Sequence, residues 1–467
     1  MNSLKKLAGQ TAIYGLSSVI GRLLNYLLVP LYTRYFSPAD YGLVTEIYAY
    51  VAFLVVVLTY GLETAFFRFS KKENDAKVVY STALISLIVS SLFFVLLMFA
   101  NSSSIANSLG YGIESKFIQW FAIIVGLDAI SSIPFARLRE EERAARFATI
   151  RLLSIFTNIG LNLYFIMYKG LGIEYVFISN LISSILTSLC LIPEVLKIKF
   201  TFDNGLWKKM MIYALPLLVA GLAGITNETM DRILLRHLLP NTETALSELG
   251  LYGAFYKLSI IMILFVQTFR FAAEPFFFAQ YKQKDDRRVY ADVMKYFIVV
   301  MTVIFLGVTI FYDFVIGFLG PAYHDDRGFL VVSMLLLANL FLGIFFNLSI
   351  WYKLTEQTVF GAYLAIFGAA ITLLLNIVLI PKIGFVGSAL ATLVCYFSMA
   401  LASYILGKKR FPIPYQLGRI SLYIFSMLAI YLLIYTTHLN MWINSLFLLG
   451  FIIFVYLLEK TEKSIKI

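Results

Sequence analysis

Long apolar runs separated by short polar or Gly/Pro punctuation recur from one end of this 467-residue chain to the other. A run of about 20 apolar residues is what one helical crossing of a bilayer requires. On that spacing the chain predicts helices at 9–35, 42–67, 78–100, 116–137, 148–168, 173–196, 210–236, 249–280, 290–318, 328–351, 359–381, 384–407, 419–437 and 440–458. These fourteen crossings predict an all-α polytopic membrane protein. Barrel strands would instead show short alternating segments of about 10 residues. Leu84 to Ala100, apolar apart from its serines, is no such segment.

Composition agrees with the pattern. Hydrophobic residues make up 60% of the chain and charged residues 14%, where soluble domains carry about 45–50% apolar residues. The apolarity is uniform, which excludes a large soluble domain on an anchor and also disorder, which needs high charge. The net charge of +11 would suit nucleic acid if it lay on a soluble surface. Its position decides otherwise. With both termini on one side, the loops of that side hold about 25 Lys/Arg and the opposite loops about four, the bias of cytoplasmic loops. Both termini are therefore expected in the cytoplasm, with no nucleic-acid partner. Cys190 and Cys395 lie in apolar segments, so no disulfide framework or zinc site is expected. His237, His324 and His438 stand alone in separate loops. Lys5 and Lys6 precede an apolar run as in a signal peptide, but Arg22 and Asn25 interrupt it and no cleavage site follows.

The chain also echoes itself. Arg34-Tyr-Phe-Ser-Pro38 with Tyr41-Gly42 is matched by Arg236-His-Leu-Leu-Pro240 with Tyr252-Gly253, and Leu161-Asn162 with Gly170 by Leu375-Asn376 with Gly384. Two echoes in the same order point to duplicated halves. The expected organisation is an N-terminal lobe (1–200, helices 1–6), a C-terminal lobe (201–407, helices 7–12), and 408–467 with helices 13–14 and a tail.

Charges inside the spans are the candidate chemistry, because each costs about 2.5–3.5 kcal/mol on insertion scales and should face a cavity or a partner. Ser18, Arg22 and Asn25 form one stripe of helix 1, read as the wall of an anion-facing cavity or as a buried ion pair. Helix 8 carries Lys257, Gln267, Arg270 and Glu274, where Arg270 and Glu274 can also neutralise each other one turn apart. Helix 7 offers Asn227, Glu228, Asp231 and Arg232, with a Glu228–Arg232 pair available. Arg151, Ser154, Asn158 and Asn162 line one face of helix 5, and Asn180, Ser184 and Thr187 lie on helix 6; such residues often only join helices. Glu46, Glu63 and Asp128 are isolated acids that could couple transport to protons or sodium, although Glu63 could pair with Arg68. Glu228, Asp231 and Glu274 join Glu46 and Asp128 as coupling candidates. Pro30, Pro216 and Pro275 are expected to break helices 1, 7 and 8. Walker, His-Glu-x-x-His and Gly-x-Ser-x-Gly motifs are missing, and the longest loop is about 15 residues, so an ATP-driven pump or loop-built enzyme is disfavoured. No cofactor is expected beyond a coupling ion, H+ or Na+.

Val29-Pro-Leu-Tyr-Thr-Arg-Tyr-Phe-Ser-Pro-Ala-Asp-Tyr-Gly42 resembles the first outer loop of bacterial polysaccharide (O-antigen or capsule type) flippases of the multidrug/oligosaccharidyl-lipid/polysaccharide exporter superfamily. Gly61-Leu-Glu-Thr-Ala-Phe-Phe-Arg68, Asp231-Arg232 leading to Gly250-Leu-Tyr-Gly-Ala-Phe-Tyr-Lys257, and Ile380-Pro-Lys-Ile-Gly-Phe-Val-Gly-Ser-Ala-Leu-Ala-Thr392 agree. The resemblance implies two six-helix lobes around a central cavity plus two extra C-terminal helices, in the bacterial inner membrane. It also implies alternating-access transport of an undecaprenyl-pyrophosphate-linked oligosaccharide, with a polymerase and assembly proteins as further partners. Basic residues on helices 1, 2 and 8 of the related lipid II flippases carry over to Arg22, Arg68 and Arg270. Asn25, Lys257 and Arg232 complete the expected substrate-binding set. A cation-coupled multidrug exporter, a membrane-embedded polymerase or glycosyltransferase, and a non-transporting scaffold are the competing readings.

Overall fold

The computed structural model describes residues 20–21, 23–24, 26–72, 75–110, 115–283, 287–437 and 440–465. Nearly all of them are helical, and no strand occurs among the described residues. Among the described residues thirteen helices are long and apolar enough to cross a membrane, and they follow the second to fourteenth predicted crossings in order. About half of the first predicted crossing falls outside the described residues; α1 (Leu28–Tyr35) is its end.

Packing divides the chain into two compact units. One runs to His237 and includes Asn241–Gly250; the other takes Leu238–Pro240 and Leu251 onward. The first unit holds α1, α2 (Pro38–Thr59), α3 (Leu62–Ser70), α4 (Ala76–Ala100), α5 (Ser102–Ser108), α6 (Ser115–Glu140), α7 (Ala144–Asn162), α8 (Glu174–Val195), α9 (Asn204–Leu238) and the start of α10 (Thr242–Leu258). Helix α9 heads the second half in chain order, yet its Leu206, Met210 and Ala214 pack into a core with Phe66 of α3, Tyr80 and Leu84 of α4, and Ile133 of α6. Helix α6 is the hub, touched by α2, α3, α4, α5, α7 and α8.

Local signals explain the helix ends. Ser37 accepts the Asp40 N–H at 3.2 Å while the Asp40 carboxylate takes the Ser37 N–H at 3.3 Å, a capping box that starts α2 with Pro38 in its first turn. Tyr60 and Gly61, both left-handed with φ of 32° and 72°, end α2 and begin α3. Helix α7 runs on into a π-helical turn, Leu163–Tyr168.

The second unit contains the rest of α10, then α11 (Ile260–Gln283), α12 (Arg287–Ile310), α13 (Tyr312–Ile316), α14 (Gly328–Leu348), α15 (Ile350–Leu354), α16 (Val359–Ile383), α17 (Phe385–Arg410), α18 (Leu417–Thr437) and α19 (Met441–Ile465). Helix α17 packs between α14 and α16, and α12 carries α18 and α19. Glu459 of α19 fastens that last pair: it accepts from Lys295 of α12 at 2.6 Å, Arg419 of α18 at 3.2 Å and Tyr423 of α18 at 2.6 Å.

The echo between halves has a structural counterpart. Asn162 and Asn376 are both fully buried, and each donates its side-chain amide to the carbonyl four residues earlier at 2.8 Å. Gly170 and Gly384, which follow them, both have positive φ, 64° and 60°. Two expectations need correction. Helices α9 and α11 continue through Pro216 and Pro275, and α1 includes Pro30. The eighth predicted helix is instead interrupted at Ser259, whose hydroxyl donates to the Tyr256 carbonyl at 2.8 Å and competes with the helical ladder.

Candidate functional site

Helix α6 is covered along its whole length with one exception. Asp128, in mid-helix, is the only residue from 115 to 140 that is exposed. We read this exposed carboxylate, in the middle of an otherwise covered helix, as facing a recess in the first unit. Ser184 of α8 donates to Asp128 Oδ1 at 3.0 Å. One turn earlier on α8, Asn180 donates to the phenol oxygen of Tyr48 on α2 at 3.0 Å. Across from them, Ser183 donates to the Ser154 carbonyl of α7 at 2.5 Å, and Tyr32 of α1 donates to Asn162 Oδ1 at 2.9 Å. The helix 5 and helix 6 polar stripes therefore do join helices, but Asn158 and Asn180 remain half-buried at the recess.

The sequence pattern places Arg151 in a stripe that joins helices, and the structure gives it a different standing. Its guanidinium lies 4.0 Å from the centre of the Phe135 ring, two turns along α6 from Asp128, and within electrostatic reach of that carboxylate. It is exposed and forms no ion pair or hydrogen bond among the described residues. Arg68 behaves alike: it is exposed at the end of α3, stacked 4.2 Å over Tyr213 of α9, again with no carboxylate partner among the described residues. An aromatic face holds a guanidinium by cation–π attraction while leaving its in-plane N–H donors unused. Both groups thus keep their full charge and fork geometry for an external anion. The signal for Arg151 was present, as a charge inside a span; its aromatic support was not visible.

Several other candidates are engaged. Glu63 pairs with Arg139 of α6, not with Arg68, because Arg68 turns toward Tyr213. Glu46 is not isolated: it is fully buried, with Arg236 Nε of α9 at 3.8 Å, where the end of α9 runs against α2. Beside it Tyr50 and His237 share a 2.9 Å hydrogen bond. Asp231 is buried and accepts the Arg232 N–H at 2.8 Å, and Arg232 is half-buried. Glu228 is exposed and forms no ion pair with Arg232. Arg22 and Asn25 lie outside the described residues.

In the second unit Arg270 does meet Glu274, Nε to Oε1 at 2.8 Å, and also stacks 4.7 Å from the centre of the Phe346 ring. Glu274 is shared, since Lys353 of α15 donates to the same oxygen at 2.5 Å. Two cations on one carboxylate leave the trio one positive charge in surplus. Lys257 is half-buried near the end of α10. No three of His, Cys, Asp or Glu converge as metal ligands among the described residues.

With this geometry in hand, comparison with known proteins places the chain. Residues 7–280 match the family described as polysaccharide biosynthesis protein. No curated protein matches the sequence. Among solved structures, lipid II flippase MurJ in an inward closed conformation superposes with a TM-score of 0.76 at 17% identity, over 96% of this chain and 98% of that one. An inward-facing multidrug resistance MATE transporter of the MOP superfamily gives 0.68 at 15% identity, over 84% and 94%. A MOP-superfamily transporter from Pyrococcus furiosus, with a binding pocket of reversed polarity, gives 0.56 at 14%, over 87% and 94%. Those likenesses establish a MOP-type transporter fold, and the match over more than half the sequence establishes that the chain belongs to the polysaccharide biosynthesis protein family.

Proposed function

We propose that this multi-pass protein is a flippase that moves an undecaprenyl-pyrophosphate-linked oligosaccharide repeat unit across the bacterial cytoplasmic membrane by alternating access. A pyrophosphate cannot enter hydrocarbon unaided, because burying an uncompensated charge is prohibitively costly. It needs permanently charged donors along its path, and guanidinium supplies them, bidentate and protonated at every working pH. The observation that carries the reading is the pair Arg68 and Arg151, mounted on Tyr213 and Phe135 and in no ion pair or hydrogen bond with a carboxylate among the described residues. The surplus charge of the Arg270–Glu274–Lys353 trio adds to it. Family membership and the likeness to a lipid II flippase support the same cargo class.

A cationic drug would find these groups repulsive. A loop-borne polymerase would want an acid pair outside the spans, and Asp325, the first of the two adjacent aspartates, is tied to Arg327 at 2.8 and 2.9 Å. The test is a strain whose only copy carries Arg151→Glu, Arg68→Glu, Arg270→Glu or Arg22→Glu, with membrane insertion checked by immunoblot. Surface polymer is expected to disappear and lipid-linked repeat units to collect in the cytoplasmic leaflet. Undiminished polymer from well-inserted variants, or accumulation in the outer leaflet, overturns the proposal.

A further inference from the structure

The recess at Asp128 has the wrong charge for the pyrophosphate itself. The groups around Asp128 include one formal acid, Asp128 itself, and one formal base, Arg151, within electrostatic reach; Ser184 bonds the carboxylate, the Asn180–Tyr48 pair follows one turn away on α8, Ser154 of α7 meets the adjacent Ser183, and Asn158 lies one turn beyond Ser154. A metal ion would ask for more acids or histidines, and a cationic drug would meet Arg151. The chemistry that fits is a neutral polyol. A carboxylate accepts from two adjacent hydroxyls, side-chain amides both donate and accept, and a phenol edge does either. Exposure strengthens the argument. A charged group left open in the middle of an otherwise covered hub helix costs stability, so it is retained for something that enters.

The position is also informative. Along α6, Asp128 and Phe135 lie on one face two turns apart, about 10 Å along the axis, and Arg151 is seated on Phe135. A phosphate held by Arg151 would place a sugar ring joined to it at the depth of Asp128.

We propose that this recess in the first unit is the sugar site of the transporter, with Asp128, Asn158, Asn180 and Tyr48 reading the hydroxyls of the ring nearest the pyrophosphate and Arg151 holding the adjoining phosphate. The inference rests on the flippase reading and assigns to it a specificity determinant. A site built to hydrogen-bond a hydroxyl discriminates against a ligand that lacks it, because an occupied site then leaves its polar groups unpaired.

The experiment uses the full chain in lipid nanodiscs, with farnesyl pyrophosphate and a panel of farnesyl-pyrophosphate-linked hexoses and N-acetylhexosamines as probes. Wild type should bind at least one sugar-bearing probe about tenfold more tightly than the bare pyrophosphate. Asp128→Asn should erase that gain while leaving the affinity for bare farnesyl pyrophosphate unchanged. Asn180→Ala, a smaller lesion, should reduce the gain even if Asp128→Asn folds poorly. Arg151→Ala should weaken both kinds of probe. No sugar-dependent gain in wild type, a gain that survives both recess variants, or an Asp128→Asn effect confined to sodium dependence would each overturn the sugar site. Failure of wild type to bind bare farnesyl pyrophosphate would instead sink the flippase reading.

Discussion

The tightest backbone approach within the first unit offers a quantitative test of the fold. Helix α2 crosses the start of α10 at Gly42 and Gly250. A Cβ on Gly42 would stand 1.9 Å from the Leu246 carbonyl oxygen, and one on Gly250 would stand 1.8 Å from the Pro38 carbonyl oxygen. Real Cβ contacts do not fall below 3.0 Å, so Gly250→Ala forces these backbones apart by about 1.2 Å in a close-packed interior. The obstructing atoms are main chain on both sides, and no side chain can swing away. A gap of about 0.5–1 Å already forfeits a quarter to a half of each dispersion well along the crossing. The expected cost is at the upper end of overpacking, about 3 kcal/mol, which lowers the melting temperature of a unit this size by roughly 6–12 °C. Thermal unfolding of the purified protein, followed by tryptophan fluorescence and by recovery from size exclusion, measures it. Gly307→Ala is the control: nothing lies within 4 Å of its Cβ position inside α12, and it should gain about 0.5–1 kcal/mol by helix propensity. If Gly250→Ala melts within a degree of wild type, or the control loses as much, the crossing is not as close as described.

Glu459→Gln should loosen α18 and α19 by about 2–3 kcal/mol, because it takes from Lys295, whose side chain is 3% exposed, the carboxylate charge it meets at 2.6 Å; faster hydrogen exchange confined to these two helices checks it. Arg327 beside Asp325 holds that carboxyl below the usual carboxylate range, through its side-chain hydrogen bond first and then its backbone N–H and its charge, against the opposing effect of burial. A depressed folded pKa contributes stability that is fully present above the unfolded value of 3.8 and fades as pH falls through the folded one. Protection of amides at 320–328 should therefore decline only at acid pH, and Arg327→Gln should remove that pH step.

Thirteen of the predicted crossings were legible because hydropathy is a sum over neighbours in the chain, and a bilayer reads that sum directly. The buried asparagines 162 and 376 and the left-handed Gly170 and Gly384 were legible for a similar reason, since each marks a local backbone requirement repeated in order. The break at Ser259 was not, because a serine inside an apolar run carries no signal until its hydroxyl takes the Tyr256 carbonyl. Charge pairing was the larger omission. Glu63 could be matched from the sequence only to a near neighbour, while its partner Arg139 lies 76 residues away. Glu46 and Arg236, or Glu274 and Lys353, come together only when separate helices pack. The exposure of Asp128 and the ring-borne guanidiniums of Arg68 and Arg151 have the same origin. Whether an ion inside a span is spent on a neighbour or left for a ligand is settled by distances between helices, and those are fixed by packing.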